Sequence, residues 1–410
     1  MNLHLIRVID RWVGIPACFF LSLGRRLVKR FQSDAKPRSG KGKLPVKFLF
    51  IELSEMGSAI LAYPAMRYVL SQYPGAKLYF LTFRQNRFSV DVLDVIPRGR
   101  VITIDVEGPL RFIITTFKAL KAIREENIDV VFDMELFSRF SSLISGLSGI
   151  GVRAGYGKYH EEGLYRGSFM THKVFYNCHQ HMVKNFLALV KAIERQGEHP
   201  LVKEKISGKD LVRPCYKSSE KDLEILRKRL ADINPVALSA KHLVLFNPSA
   251  GELLPIRAWP VENYVRLAEK IMECFDVAVI LLGLKEASHA AATILDQVGP
   301  EQCIDFTGHS SFKDLMDLLN LADVLVTPDS GPAHFAVLTP IKNIVLFGPE
   351  TPELYAPFGP NTTCFFAGLS CSPCLSAYNH RNTSCTDPKC MKAITVNEVF
   401  DTVSASLNGM

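Results

Sequence analysis

Short β-branched runs alternate with segments of helical spacing along most of this chain, and they do so in two separate series. In the first, apolar runs fall at residues 48–53, 77–82, 101–105, 130–134 and 151–156. Helical spacing lies between them at 59–71 and 110–126, and a long amphipathic helix is expected over 182–195. The pattern restarts with strands expected at 243–246, 277–282, 303–306, 324–326 and 343–347 and helices at 262–273, 288–297 and 312–320. Alternation of this kind produces parallel sheets with helices on both faces. At 410 residues the chain is also too long for one core. The expected architecture is therefore α/β, with two Rossmann-like doubly wound domains facing each other across a cleft. Residues 197–218 are loop-rich, 220–230 read as a charged helix, and 235–241 as the linker. The expected division is an N-terminal segment over 1–45 and domains over 46–235 and 236–410.

In open sheets of this class, ligands sit beyond the carboxyl ends of the strands. Chemistry-bearing residues cluster there. The run Val324-Leu-Val-Thr-Pro-Asp-Ser-Gly-Pro-Ala-His-Phe-Ala336 reads as a buried strand turning into a helix. Ser330 suits an N-cap, Pro332 suits the first helical turn, and His334 lies within that turn. Unpaired N–H groups at such a helix start suit a diphosphate. His334 either donates to that ligand or packs as a core residue. After the first strand of the second series comes Asn247-Pro-Ser-Ala-Gly-Glu-Leu-Leu-Pro-Ile-Arg-Ala-Trp-Pro260. Ser249, Ala250 and Gly251 let backbone approach a ligand, and Arg257 offers a cationic fork suited to phosphate. Glu286, ending the next strand, is placed to accept ribose hydroxyls. No G-x-G-x-x-G follows a strand, and neither a P-loop nor H-E-x-x-H occurs, so hydride transfer, NTP hydrolysis and zinc-peptidase chemistry lose their usual support.

The net charge of +7 is concentrated near the N-terminus. Arg25, Arg26, Lys29, Arg30, Lys36, Arg38, Lys41, Lys43 and Lys47 are opposed there only by Asp34. The remainder is nearly balanced, which argues against nucleic acid as a partner. The apolar stretch over 12–23 is too short to span a bilayer and contains Pro16. An aromatic-rich patch followed by a basic run suits an interfacial helix on an anionic membrane surface, with 34–43 as its tether. The competing reading is a helix packed on the protein's own surface. Ten cysteines do not make a disulfide scaffold at this length. Cys371, Cys374, Cys385 and Cys390 nevertheless fall in one short segment, and they read either as a structural zinc site or as thiols or disulfides that pin a loop.

The segments Glu55-Met-Gly-Ser-Ala-Ile-Leu-Ala-Tyr-Pro-Ala65, Asn247-Pro-Ser-Ala-Gly251, Arg257-Ala-Trp-Pro260 and Pro328-Asp-Ser-Gly-Pro-Ala-His334 together resemble glycosyltransferase family 9, the ADP-heptose:lipopolysaccharide heptosyltransferases and their relatives. The resemblance runs from Val46 to the C-terminus. It implies a GT-B fold with the acceptor in the first domain and the nucleotide-sugar in the second, and inverting, metal-independent transfer. It places Asp329, Ser330, Gly331 and His334 on the donor's diphosphate and adjoining sugar, Arg257 on the phosphates, and Glu286 on the ribose, with Ser249 lining the same loop. Partners implied are an ADP-heptose-like donor and a lipid-linked glycan acceptor at the cytoplasmic face of the membrane. One position departs from the family. Where such enzymes carry M-G-D, this chain has Met56-Gly57-Ser58, and a serine cannot accept a proton unaided. Glu55, or else Glu52, then becomes the expected base. A nucleotide-sugar epimerase and a catalytically inert glycan-binding protein are the alternatives.

Overall fold

Strand order in both halves of the molecule reproduces one topology. The structure, a computed structural model, describes residues 3–31, 44–136, 138–157, 165–194, 211–235, 239–251, 254–376, 379 and 381–409. It divides into two units, Met1–Val212 and Arg213–Met410. The expected tether over 34–43 lies outside the described residues, as does part of the loop-rich stretch after 197.

Unit 1 begins with helices α1 (Leu3–Trp12) and α2 (Gly14–Phe31). There follow β1 (Lys47–Ile51), α3 (Met56–Leu61), α4 (Tyr63–Gln72), β2 (Lys77–Phe83), α5 (Phe88–Asp91), β3 (Val101–Ile104) and α6 (Pro109–Glu125). The unit closes with β4 (Val130–Asp133), α7 (Arg139–Leu147), β5 (Val152–Tyr156), β6 (His172–Val174) and α8 (Met182–Lys191). Its strands lie in the order β3-β2-β1-β4-β5-β6 and every pairing is parallel. Ile51 pairs with Leu81 on one side and Asp133 on the other, so β1 and β4 flank the point where the sheet's growth reverses.

Unit 2 contains α9 (Glu220–Ile233), β7 (His242–Phe246), α10 (Val261–Cys274), β8 (Val277–Leu281), α11 (Ser288–Val298), β9 (Cys303–Asp305) and α12 (Phe312–Leu321). After these come β10 (Val324–Pro328), α13 (Gly331–Ala336), β11 (Lys342–Phe347), α14 (Pro352–Tyr355), β12 (Thr362–Phe366), α15 (Lys389–Lys392) and α16 (Val396–Asn408). The order β12-β11-β10-β7-β8-β9 is again all parallel, with the reversal between β7 and β10. In each unit this reversal is where ligand crevices of doubly wound sheets form.

The strands are apolar because both faces are covered. Val244, Phe246, Val279, Leu281, Val324, Val326, Ile344 and Leu346 share one buried cluster with Tyr264, Leu267 and Ile271 of α10. Leu49, Ile51, Leu81 and Val131 do the same in unit 1 with Ala119, Leu120 and Ile123 of α6. The helix expected over 59–71 is broken in two at Ala62 because Pro64, in the first turn of α4, has no N–H to continue the ladder. The boundary expected after residue 235 falls instead after Val212. The cause is α9, which docks on α12: Arg229 pairs with Asp314 at 2.6 Å, and Lys313 with Asp222 at 2.8 Å. The short strands β6 and β12 and the final helix α16 were not expected. Helix α16 starts with a capping box between Thr395 and Glu398 and sends Val399, Val403 and Leu407 into the unit 2 core.

The N-terminal helix pair is packed on unit 1 along one face, as the surface-helix reading requires. Asp10 accepts from the backbone N–H of Arg139 and of Phe140, each at 3.0 Å, and pairs with the Arg139 guanidinium at 3.1 Å. A carboxylate at the start of α7 is favoured there by the helix dipole. Gly14 lets α2 approach, because an added Cβ would lie 3.0 Å from Arg139 Cβ. Cys18 is buried and Ser22 Oγ accepts from Ser168 N at 3.0 Å. The other face remains open, with Trp12, Val13, Phe19, Phe20 and Leu27 all exposed. No helix among the described residues is long and apolar enough to cross a membrane. Removing Asp10 strands the largely buried Arg139 charge, so Asp10→Ala is expected to lower unfolding free energy by about 2–4 kcal/mol in a denaturant titration. A change under about 0.5 kcal/mol would show that this contact does not fix the helix pair.

Candidate functional site

At the reversal point of unit 2, the loops after β7 and β10 are tied together by hydroxyl and amide groups. Asn247 Nδ2 donates to Thr327 Oγ1 at 2.9 Å and to Ser330 Oγ at 3.0 Å, and the two hydroxyls are themselves 3.0 Å apart. The Asn247 carbonyl accepts from Tyr264 OH at 3.0 Å. Ser330 stands at the N-cap position of α13 in extended backbone, yet its side chain makes no cap bond, because Asn247 and Thr327 hold it. That corrects the expected capping role. Helix α13 is also only six residues long. Its dipole is therefore small, and fixed ionic charge has to dominate the electrostatics here.

That charge is Arg257. Its Nη1 donates to Asp329 Oδ2 at 2.9 Å and lies 3.5 Å from Glu350 Oε2. Glu350 follows β11 and stands 3.1 Å from Arg381 Nε; the Arg381 guanidinium lies 5.1 Å above the Tyr355 ring. Asp329 and Glu350 are both buried. Burial works against ionising Asp329, but Arg257, His334 and a hydrogen bond from Glu350 outweigh it and hold its carboxyl below the ordinary value. Burial, reinforced by the Asp329 charge and opposed by Arg381 and Arg257, pushes Glu350 up to about 7. Glu350 is thus the member of the pair that takes up a proton more readily, and Arg257 is held by the ionised Asp329. Its Nε is buried and has no hydrogen-bond acceptor among the described residues. Above the turn there is room: a Cβ added at Gly331 or at Gly251 would meet nothing within 4 Å. His334 is buried in α13, close enough for its charge to act on Asp329.

The remaining predicted residues of this unit stand on neighbouring loops. Ser249 Oγ accepts from Gly251 N at 3.0 Å, and Glu286 is exposed on the turn after β8. Gly283 precedes it at φ +148°, where a Cβ would lie 2.4 Å from that of Ala287. Only glycine fits there. Trp259 is buried, and its Nε1 donates to Ile394 O at 3.0 Å, which anchors the Arg257 segment to the core.

In unit 1 the corresponding point carries carboxylates. Glu135, beyond β4, accepts at Oε1 from Leu53 N at 2.8 Å, Ser54 N at 3.0 Å and Ser54 Oγ at 2.9 Å, and so fixes the loop after β1. Glu52 is fully buried, and burial together with the Glu135 and Glu55 charges raises its carboxyl well above the usual range. Glu55 is exposed at the start of α3 and accepts from Ser58 Oγ at 3.1 Å. Met56 is half-buried and Gly57 buried. Of the two candidate bases, Glu55 is the accessible one.

The described residues of the cysteine segment do not support the expected structural zinc site. Among the described residues no group of three or more His, Cys, Asp or Glu side chains is arranged to hold a metal ion, and all four thiols are free. Cys390 is turned into the unit 2 core, while Cys385 Sγ donates to its neighbour Asp387 O at 3.3 Å. What pins this loop is Arg381 on Glu350, with Cys374 N and Leu375 N donating to Pro349 O, each at 2.9 Å. Glu350, Arg381 and Glu135 were missed from the sequence. Glu350 lies three residues beyond an expected strand, the same spacing at which Asp329 follows the strand expected over 324–326.

With this geometry in hand, comparison with known proteins decides the family. Residues 116–383 match the model of glycosyltransferase family 9 (heptosyltransferase). The chain belongs to that family. It is accordingly a glycosyltransferase, which disfavours the epimerase alternative. Among curated relatives, it is 22% identical over 322 residues to the lipopolysaccharide core heptosyltransferase OpsX of Haemophilus influenzae, covering 77% of this chain and 82% of that one. It is 24% identical over 190 residues to lipooligosaccharide heptosyltransferase 2 of Campylobacter jejuni, a match spanning 45% of this chain and 57% of the relative. Among solved structures, the E. coli ADP-heptose lps heptosyltransferase II superposes with a TM-score of 0.68 over 89% of this chain and 99% of its own, at 20% identity. The E. coli heptosyltransferase WaaC with ADP gives 0.60 over 88% and 100%, at 16% identity. These superpositions establish the shared fold of this family.

Glu350 holds its proton to about pH 7 when folded, against an ordinary value of 4.5. Between those values the folded state binds the extra proton, so stability falls as pH rises through that window. Glu350→Gln is expected to flatten this fall in thermal melts, while an unchanged slope would show that Glu350 does not titrate there.

Proposed function

We propose that this chain transfers a heptose from ADP-heptose to the core of a lipopolysaccharide, with inversion at the anomeric carbon and without a metal ion. The observation that carries the reading is Arg257, held by Asp329 and Glu350 in the segment after β7, whose Asn247 is tied to Ser330 of the turn with open space over Gly331. The family relationship supports the donor, since solved WaaC complexes hold ADP and ADP-2-deoxy-2-fluoro heptose. The substrates named for the curated relatives support the acceptor.

The chemistry follows from where charge develops. As the anomeric bond to ADP breaks, negative charge grows on the leaving diphosphate. A guanidinium already oriented by ionised Asp329 needs no reorganisation to stabilise it. Ser330, Gly331 and His334 contribute donors on the same turn, Ser249 borders it, and Glu286 binds the ribose. In unit 1, Glu55 takes the proton of the acceptor hydroxyl, which attacks from the face opposite ADP; Met56 and Gly57 shape that loop. Ser58 replaces the family's aspartate and acts by orienting Glu55 through their hydrogen bond. Glu52 is the poorer base, because its raised proton affinity comes with burial from the acceptor.

The open aromatic face of α1 and α2, with its basic surroundings, contacts the anionic cytoplasmic face of the membrane, where a lipid-linked acceptor is found. The enzyme is thus peripherally attached rather than inserted.

The test is transfer of heptose from ADP-heptose to heptose-deficient lipopolysaccharide. Glu55→Gln is expected to lower kcat by about 10²–10⁴-fold with little change in donor KM, the usual scale for loss of a general base. Ser58→Ala should cost far less. Unchanged kcat in Glu55→Gln would remove Glu55 from the reaction, and absence of transfer by the native chain would overturn the assigned reaction.

A further inference from the structure

Helix α6 is apolar on two sides. Its inner side gives Ala119, Leu120 and Ile123 to the unit 1 core, with Phe112 packed against it. Its outer side carries Leu110, Ile113, Ile114 and Phe117 at helical i, i+3, i+4 and i+7 spacing, and these are 70%, 50%, 44% and 69% exposed. A helix that is apolar all round is ordinarily buried. Four large side chains stacked in one stripe are more than scattered surface residues. Beyond Phe117 the same face continues as Lys121 and Arg124, with Lys118 alongside.

The stripe has a structural link to the N-terminal helix pair. Asp10 of α1 holds the N–H groups of Arg139 and Phe140 in the first turn of α7. The Phe140 ring in turn lies 4.9 Å from Phe112 of α6. One turn of α7 therefore supports both elements.

Charge selects the occupant. Residues 3–31 contain Arg7, Arg11, Arg25, Arg26, Lys29 and Arg30 against Asp10 alone, and Asp10 is engaged with Arg139. On α6, Arg111 and Lys121 face Glu107 and Glu125 across exposed pairs, which contribute little. Two copies meeting through such surfaces would oppose like charges. An anionic bilayer supplies both an apolar boundary and counter-charge.

We infer that the outer face of α6 is a second membrane-docking element, entering the headgroup boundary of an anionic bilayer together with the α1–α2 pair. This rests on the reading of that pair as a membrane contact, and it adds a contact that the N-terminal segment alone does not contain. Two elements held on one scaffold fix the orientation of unit 1 on the bilayer, where a single helix would leave it free to roll.

The experiment is flotation of the full chain with vesicles of phosphatidylglycerol and phosphatidylcholine, or of phosphatidylcholine alone. The native chain is expected to float with the anionic vesicles only. Ile113→Ser combined with Ile114→Ser and Phe117→Ser is expected to lower the partition coefficient by about tenfold or more, given about 0.8 kcal/mol per buried CH₂. Trp12→Ser with Phe20→Ser should lower it comparably. The single variant Phe117→Glu gives a second reading with minimal change to the helix, and unaltered melting temperatures verify the fold. If the α6 variants float like the native chain while the Trp12 and Phe20 variant does not, the α6 proposal is overturned and the N-terminal contact stands. If the native chain itself does not float, both fall. If sedimentation shows a native dimer that the α6 variants convert to monomer with flotation intact, the face joins two copies and the proposal is overturned.

Discussion

The pair between Arg257 and Asp329 is the contact on which the proposed donor site in unit 2 depends. A guanidinium on a surface loop samples many orientations, and one that is buried without a partner is costly. Here Asp329, at the end of β10, and Glu350, at the end of β11, hold Arg257 from two adjacent strands. The sheet sets the spacing of those strands, so the cation's position is inherited from backbone hydrogen bonds. Glu350 contributes through its raised proton affinity: when it holds its proton, the single charge of Asp329 is balanced by Arg257, and Arg381 leaves the group of four with a cationic surplus that suits the proposed diphosphate.

The same logic, with opposite sign, operates in unit 1. Its reversal point collects Glu52, Asp133 and Glu135, all buried, and their proton affinities are raised by burial. Asp133 is answered by Arg166 at 2.7 Å, and Glu135 by backbone N–H groups. Glu55 alone among the acids of that loop reaches solvent. The two units use one topology to present a fixed cation in one case and an accessible carboxylate in the other, and the proposed transfer assigns the leaving diphosphate to the first and the acceptor hydroxyl to the second.

Much of this was legible in the sequence for a physical reason. A strand buried on both faces has to be apolar, so all five strands expected in unit 2 were found close to their expected places, and Arg257 and Asp329 stood out because they follow such strands. The strands β6 and β12 were not legible: His172–Val174 is three residues long, and β12 is only partly buried, so neither bears a strong apolar signature. Glu350 and Arg381 were invisible for a different reason. Their pairing spans a loop marked in the sequence by its cysteines, and an ion pair leaves no periodicity. The exposed stripe of α6 has the spacing of an ordinary core helix, and only its exposure in the folded chain separates its two sides. The domain boundary shifted because α9, read as a charged linker-side helix, forms ion pairs with α12 that its sequence alone does not specify.

The proposed transfer depends on Arg257 meeting the donor's diphosphate. Isothermal titration of ADP into the native chain and into Arg257→Met measures this directly, since the variant keeps an apolar stem and removes only the charged fork. An affinity loss of about tenfold or more is expected, the scale of a charge-assisted contact to phosphate. Equal affinity for ADP in both proteins, with both correctly folded, would contradict it.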